Sequence, residues 1–275
     1  RDRLRSRGLG DVYKRQFSDH GYMTEKNRPQ IPAIIHYCWF GRQEMPASAL
    51  RCIESWRRFA PDFRLQRWDE SNFDVDSLEY TAQAFHLRKY AFVSDVARLH
   101  ALLNEGGIYL DTDVELLKTP DSLISHGAMI GFESSGMIST AVISSEKDNP
   151  LLREFLDTYS RTSFIGNDGR PDLTPNTFRF TEFLKTKGLR ADGSRQSVAG
   201  MNVLPYEYLS PLNQEGYRLE ATSDTICIHH FESSWKSGPF RLKSKIQRMI
   251  GPAATINLIK LKRLIVPPSC ERARF

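Results

Sequence analysis

The stretch "EGGIYLDTDVELL", Glu105–Leu117, places two aspartates one residue apart directly after an apolar triplet. The triplet is typical of a short buried strand, and the two glycines before it are typical of a helix end. Strand interiors disfavour aspartate, and two carboxylates this close repel each other. The sequence therefore predicts that Asp111 and Asp113 lie at a strand end, where something compensates their charge.

Strands and helices alternate on both sides of this stretch. Upstream, "IPAIIHYCWFG" and "FRLQRWD" predict strands, while "PASALRCIESWRRFAP" and "SLEYTAQAFHLRKYAFVSDVARLHALLNEGG" predict helices. Downstream, "VELL" is expected to continue the strand, "AMIGFE" and "MISTAVISS" to form a hairpin, and "NPLLREFLDTYS" to form a helix capped by Asn149. This alternation indicates an α/β fold with parallel strands, in which ligands bind beyond the carboxyl ends of the strands.

Charge is spread unevenly along the 275 residues. Residues 1–16 and 241–275 contribute +4 and +8 to a net charge of +5, which leaves −7 for residues 17–240. An acidic body argues against a nucleic-acid partner, because a phosphate backbone is bound by a basic face.

Cysteine usage and hydropathy bear on the compartment. Four cysteines without metal-binding spacing favour free thiols in a reducing compartment: Cys38, Cys52, Cys227 and Cys270. Neither a membrane-spanning apolar run nor a secretory signal is found in the sequence, so we predict a cytoplasmic location.

The charge pattern predicts three segments, of which residues 17–240 form one folded domain. Residues 1–16 are predicted to be translated adaptor, because Asp11–Gln16 back-translates to GAT GTG TAT AAG AGA CAG, the end used in transposon-based sequencing libraries. A natural basic arm is the alternative. Residues 241–275 mix apolar and basic residues at helical spacing, which fits a helix on an anionic membrane or a core-packing helix with a solvated face.

The aspartate pair has several chemical readings. Two carboxylates one residue apart bind one cation if the strand end bends, and hard oxygen ligands suit Mg²⁺ or Mn²⁺. Taken alone, the bare pattern fits two solvated loop aspartates better than a metal site. An EF-hand does not fit, because the sixth position from Asp111 is Leu116, where that loop requires glycine. A haloacid-dehalogenase-like phosphatase also begins with strand-DxD, but here two strand–helix units come first.

The wider context resembles a known family. "SDVARL" places Asp95 and Arg98 on one helical face. Together with "GGIYLDTD", "IPAIIHYCWFG", "SWRRFAPDFRLQRWDE" and "IHHFESSW", in this order along Ile31 to Trp235, it resembles the DXD-motif glycosyltransferases. That family includes yeast-type mannosyltransferases, bacterial capsular-polysaccharide enzymes and the catalytic domains of large glucosylating toxins. The resemblance implies a GT-A-type nucleotide-diphospho-sugar transferase, a single Rossmann-like α/β domain with a mixed sheet.

The resemblance also implies a role for each matching residue. Asp111 and Asp113 would hold Mn²⁺ or Mg²⁺ on the diphosphate of a nucleotide-sugar donor. Asp95 and Arg98 would contact donor-sugar hydroxyls and the phosphate side, where the planar guanidinium suits phosphate. Tyr109 would lie at the donor. Without the family context, Asp95 and Arg98 fit a surface ion pair, and Tyr109 fits a packing role.

A tryptophan after the first strand and one residue near the end of the domain complete the expected site. Trp39 would stack on the nucleobase, although a core position at a strand end is the alternative. Related transferases place a late histidine or acid/serine pair near the cation, for which the candidates are His229, His230, Glu232, Ser234 and Trp235. Strand alternation puts the two histidines on opposite faces, and we favour His230 as the third metal ligand.

Taken together, the resemblance implies metal-dependent transfer from a UDP- or GDP-sugar to a glycan or lipid-linked acceptor, with retention of the anomeric configuration. The expected setting is bacterial capsular or other surface polysaccharide synthesis, with residues 241–275 peripheral on the inner face of the membrane. A phosphatase with Asp111 as nucleophile and a non-catalytic sugar-nucleotide-binding module are the alternatives.

Overall fold

A computed structural model describes residues 31–133, 136–213 and 218–232. The strands are β1 (Ile34–Cys38), β2 (Arg64–Trp68), β3 (Gly107–Leu110), β4 (Val114–Leu116), β5 (Met129–Phe132), β6 (Ile138–Ser145), β7 (Gln196–Val198), β8 (Met201–Leu204), β9 (Leu212–Asn213), β10 (Arg218–Leu219) and β11 (Cys227–His229). The helices are α1 (Ala47–Phe59), α2 (Glu79–His86), α3 (Tyr90–Glu105), α4 (Asp121–Ser125), α5 (Pro150–Ser160), α6 (Asn176–Lys185) and α7 (Tyr206–Leu209). The predicted segments 1–16 and 241–275 lie outside the described residues, so the predicted segment boundaries stay untested.

Seven strands form one mixed sheet in the order β2-β1-β3-β6-β5-β8-β7. Strand β1 is parallel to β2 and β3, and β5 is parallel to β8. Strand β6 is antiparallel to both β3 and β5, so these two also run in the same direction. The carboxyl ends of β2, β1, β3, β5 and β8 therefore share one edge of the sheet, and the predicted α/β architecture with a mixed sheet is confirmed.

Both faces of this sheet are covered by apolar side chains. One cluster joins α3, α5 and α6 to the sheet through residues such as Leu102, Phe155 and Phe180. The other packs α1 against the opposite face and includes Trp56 and Ile108, both fully buried. Because β3 is covered on both faces, all four of its residues are buried, as expected for a parallel strand at the centre of a sheet.

The predicted continuation of this strand through "VELL" is wrong. The chain turns at Asp111, whose carbonyl accepts from the Val114 amide at 3.0 Å, and β4 leaves the main sheet. It pairs antiparallel with β11, with Val114 opposite His229. The buried Trp56 indole donates to the Val114 carbonyl at 2.8 Å, which holds the turned segment against α1.

Two local predictions are confirmed. The side-chain oxygen of Asn149 accepts from the amides of Leu151 and Leu152 at 3.0 and 3.1 Å, so it caps α5 as expected. Strands β5 and β6 form the predicted antiparallel hairpin.

Cys38, Cys52 and Cys227 are free and buried, and Cys270 lies outside the described residues. Burial raises the pKa of the Cys38 thiol to about 12, so that thiol is neutral at physiological pH. Within the part of the chain that the structure describes, none of the helices has the length and apolar character needed to cross a membrane.

The start of β3 is fixed by a buried histidine. The Trp68 indole can only donate, so its contact of 3.1 Å makes Nδ1 of His36 the acceptor. Nε2 then carries the proton and donates to the Gly106 carbonyl at 2.8 Å. Burial lowers the pKa of His36, which agrees with a neutral ring. Gly107 has no space for a side chain, because an added Cβ would lie 2.7 Å from the Ile34 carbonyl oxygen and 3.3 Å from Nε2 of His36.

We predict that Gly107→Ala destabilises the protein more than Gly200→Ala does. Both glycines have positive φ, +117° and +85°, but a Cβ at Gly200 would meet nothing within 4 Å. Backbone strain alone should cost about 1–3 kcal/mol of unfolding free energy at Gly200, and the steric clash should add to it at Gly107. Urea denaturation measures both losses. Equal losses would contradict the close approach of β3 to β1 at this point.

Candidate functional site

The two aspartates of the opening stretch lie where β3 leaves the sheet. The Asp111 amide donates to the Ala141 carbonyl of β6 at 2.8 Å, which extends the pairing of β3 with β6 by one residue. The turn that follows brings Asp113 to the beginning of β4. Both side chains are partly exposed, in keeping with a position at the carboxyl edge rather than inside the sheet.

The pairing of β4 with β11 adds His229 to the aspartates. Its Nε2 atom lies 3.4 Å from Oδ1 of Asp113. Ligand atoms of Asp111, Asp113 and His229 all lie within 4.8 Å of one another, the one group of this kind among the described residues. Cations with oxygen and imidazole ligands need such a convergence.

His230, the histidine favoured from sequence, lies elsewhere. Its Nε2 atom is 2.8 Å from Oε2 of Glu115. Its backbone amide donates to the Asp113 carbonyl at 2.9 Å, and the Glu232 amide donates to Oδ2 of Asp113 at 2.8 Å. The backbone of this segment therefore positions Asp113, while the structure groups His229 rather than His230 with the aspartates.

The donor set fits a divalent cation. Nδ1 of His229 is buried and has no hydrogen-bond partner among the described residues. Burial disfavours the protonated form of His229 and the ionised form of Asp113. The proximity of these two side chains nevertheless raises the pKa of His229 and lowers the pKa of Asp113 to about 2. Two carboxylates with one imidazole suit Mn²⁺, and the carboxylates also suit Mg²⁺.

Arg98 connects the predicted donor residues inside the protein. Its guanidinium is 5% exposed and donates to the Thr140 carbonyl at 2.6 Å. One terminal nitrogen lies 3.1 Å from Asp95 and 3.3 Å from Asp111. The guanidinium also stands over the Tyr109 ring at 4.7 Å, while the Tyr109 hydroxyl donates to Asp111 at 2.8 Å. Asp95 and Arg98 therefore belong to a buried network and do not form a surface ion pair.

Asp95 is also buried, at 8% exposure. Burial raises the pKa of its carboxyl to about 6, against the opposing effect of Arg98. Asn176 at the start of α6 favours a lower pKa of Asp95, and its side-chain oxygen accepts from the Tyr159 hydroxyl at 2.8 Å. No motif in the sequence links Asn176 to Asp95, which lies 81 residues before it, so Asn176 is not among the predicted site residues.

Trp39 follows β1, the neighbour of β3 in the sheet. It is half-buried, whereas the next residue, Phe40, is 5% exposed and belongs to the core. Its indole nitrogen donates to the Gln43 carbonyl at 2.6 Å, which fixes the ring outside the core. His36 of β1 lies opposite Tyr109 of β3, and neighbouring strands are about 4.8 Å apart, so Trp39 lies on the same edge of the sheet as the aspartates.

We predict that Mn²⁺ binding requires Asp113 and His229 but not His230. Asp113→Asn and His229→Ala should each weaken Mn²⁺ binding by at least about tenfold, because each removes a ligand. His230→Ala, which removes an imidazole one residue away, is the matched control and should bind within about twofold of the wild type. Electron paramagnetic resonance of free Mn²⁺ measures all three. A loss confined to His230→Ala would show that the grouping with His229 is incorrect.

Comparison with known proteins agrees with this geometry. Residues 46–130 match the family model described as "Glycosyltransferase sugar-binding region containing DXD motif". Inositol phosphoceramide mannosyltransferase 3 of Schizosaccharomyces pombe is 30% identical over 138 residues, which are 49% of this chain and 38% of that protein. Lactosylceramide 4-alpha-galactosyltransferase of Pan troglodytes is 26% identical over 130 residues, which are 46% of this chain and 34% of that protein. The chain thus spans less than two fifths of the length of these relatives.

Among solved structures, the PaToxG glycosyltransferase is 22% identical, with a TM-score of 0.44 over 57% of this chain and 69% of that chain. The family match includes Asp95, Arg98, Tyr109 and both aspartates of the DXD motif, and leaves Trp39 and His229 outside it. Residues 46–130 are therefore similar to the sugar-binding region of the DXD-motif glycosyltransferases, in agreement with the resemblance of the sequence.

Proposed function

We propose that this protein is a metal-dependent glycosyltransferase that moves a sugar from a nucleotide-sugar donor to a hydroxyl-bearing acceptor. The observation that carries the proposal is the convergence of Asp111, Asp113 and His229 within 4.8 Å at the carboxyl end of β3. Two of the three lie in the region that matches the family model. The buried network of Arg98 and Asp95 stands directly behind them.

The metal site accounts for the chemistry of the leaving group. A divalent cation held by Asp111, Asp113 and His229 would neutralise the charge that develops on the nucleoside diphosphate as it departs. Oδ1 of Asp111 accepts from Tyr109 and pairs with Arg98, which orients the carboxylate. Oδ2 has no hydrogen-bond partner among the described residues and is the oxygen we assign to the cation.

Arg98 acts in this proposal mainly as an organiser. Its N–H groups already serve Ser94, Thr140 and the two aspartates, and little of its surface is exposed. We assign Arg98 the role of fixing the positions of Asp95 and Asp111 beneath the donor. Asp95, which retains 8% exposure, is the residue we assign to a donor-sugar hydroxyl. A carboxylate in this position accepts hydrogen bonds from hydroxyl groups.

The proposed acceptor is defined less narrowly than the proposed donor. Both relatives are named for transfer to a ceramide-based lipid. We propose a glycan or lipid-linked acceptor for this chain, retention of the anomeric configuration and a role in surface polysaccharide synthesis, as the resemblance implies. The proposed membrane contact falls on residues 241–275, outside the described residues.

The direct test is a panel of UDP- and GDP-sugars incubated with the full chain and Mn²⁺. We predict nucleotide release with at least one donor, loss of at least about 100-fold in kcat/KM in Asp113→Ala, and little change in His230→Ala. Asp113→Ala should also weaken nucleotide binding, whereas His230→Ala should change it little. No release with any donor, with nucleotide binding unaffected by Asp113→Ala, would contradict the proposal. A phosphatase would instead be inhibited by a phosphate-mimicking metal fluoride and would ignore every sugar nucleotide.

Trp39 gives an independent prediction about the base. Base stacking on an aromatic ring contributes about 1–3 kcal/mol, so Trp39→Ala should weaken binding of the free nucleoside diphosphate by about 5- to 150-fold. Trp39→Phe keeps an aromatic face and should recover most of the affinity. Isothermal titration measures the three dissociation constants. Identical values for wild type and Trp39→Ala would remove Trp39 from the donor site.

A further inference from the structure

A second concave surface lies on the same edge of the sheet as the metal cluster, where β5 and β8 end. It is a cleft of about 470 Å³. The lining residues that matter here are Glu133, Gly136, Ala191, Asp192, Tyr206 and Glu207. Glu133 directly follows β5, and the Tyr206–Glu207 pair begins α7 immediately after β8 and Pro205.

The sheet order places this cleft beside the metal cluster and on the opposite side from Trp39. Strand β6 alone separates β3 from β5. Two strand spacings of about 4.8 Å therefore separate the end of β3, with Asp111, from the end of β5, with Glu133. The negative charge of Glu133 also acts on His229 and favours the raised pKa of that residue, in line with this proximity. A molecule in the cleft would thus adjoin a sugar bound at Asp111.

The charge of the lining is one-sided. Asp192 and Glu207 place two carboxylates in the lining, and none of the eight described lining residues is basic. Hydrogen bonds from Ser194 lower the pKa of Asp192 to about 2, so this group is ionised at neutral pH. Its ion-pair partner Arg190, 3.3 Å away, is 66% exposed and lies outside the lining. Exposed pairs of this kind are weak and compensate the cleft only partly.

The remaining lining gives the cleft its shape. Tyr206 supplies an aromatic ring, and its hydroxyl donates to Glu220, which fixes the side chain. Gly136 has φ of +77°, and an added Cβ there would lie 3.1 Å from the Ala191 carbonyl oxygen. Glycine therefore allows the two walls to approach. Acidic groups around an aromatic ring provide hydrogen-bond acceptors for hydroxyls and an apolar face for C–H groups.

We propose that this cleft binds the acceptor and selects an uncharged, hydroxyl-bearing sugar over an anionic one. This inference rests on the proposed glycosyl transfer, because the cleft is assigned as the acceptor side of that same site. Carboxylates accept hydrogen bonds from neutral sugar hydroxyls but repel a phosphate, uronate or sialate group. Acceptors of the second kind should therefore bind poorly.

The test uses the full chain with Mn²⁺ and nucleoside diphosphate on an array that pairs neutral glycans with counterparts carrying a uronate or phosphate. We expect the neutral members to bind at least about tenfold better. Glu207→Lys should reduce that ratio at least about fivefold, and Glu207→Gln, which removes only the charge, should reduce it less. Asp62→Lys introduces the same charge change at an exposed site before β2, on the opposite edge of the sheet, and should leave the ratio unchanged.

Hydrolysis of the nucleotide sugar by water is measured in parallel. It distinguishes a failure of the proposed transferase function from a failure of the acceptor assignment. Absence of hydrolysis and of nucleotide binding in the wild type overturns the proposed function itself. If hydrolysis is intact, this inference alone is overturned by any of three results. These are no glycan binding, equal binding of neutral and anionic glycans, and equal ratios in Glu207→Lys and Asp62→Lys.

Discussion

The guanidinium of Arg98 is 5% exposed, and a cation buried to this extent is stable only when it is paired and hydrogen-bonded. The Thr140 carbonyl, Asp95 and Asp111 meet that requirement, at distances of 2.6, 3.1 and 3.3 Å. These contacts link α3 to β6 and to the end of β3. Removing either aspartate would leave a buried charge undercompensated, so the position of Asp111 is coupled to the packing of the core.

The two aspartates of the DXD motif are therefore compensated in different ways. Asp111 is paired from inside the protein by Arg98 and Tyr109. Asp113 is held from the other side by His229 and by the Glu232 amide, both of which come from the chain at and after β11. This separation reduces the repulsion between the carboxylates and leaves oxygen atoms of both near an imidazole. A divalent cation is the ligand that such an arrangement suits.

Much of this arrangement could be predicted from short-range signals. Apolar runs, helical spacing and the Asn149 cap depend on neighbours in sequence, and the position of Asp111 at a strand end follows from the glycines and apolar triplet before it. The pairing of β4 with β11 joins Val114 to His229 across 115 residues, and no local pattern indicates it. For the same reason the choice between His229 and His230 could not be made from alternation, because a shift of one residue in register exchanges the two faces. The cleft between Glu133 and Glu207 is likewise a product of sheet order.

We propose that Asp111, Asp113 and His229 together hold a divalent cation on the diphosphate of a bound nucleotide. Phosphorus-31 relaxation of a nucleoside diphosphate bound to the full chain with Mn²⁺ tests it directly, because a paramagnetic ion broadens only nuclei close to it. We predict strong broadening of both phosphorus signals in the wild type and its loss in Asp113→Asn, with His230→Ala behaving as wild type. Broadening that survives unchanged in Asp113→Asn would show that the cation is not held by the DXD motif and would contradict the claim.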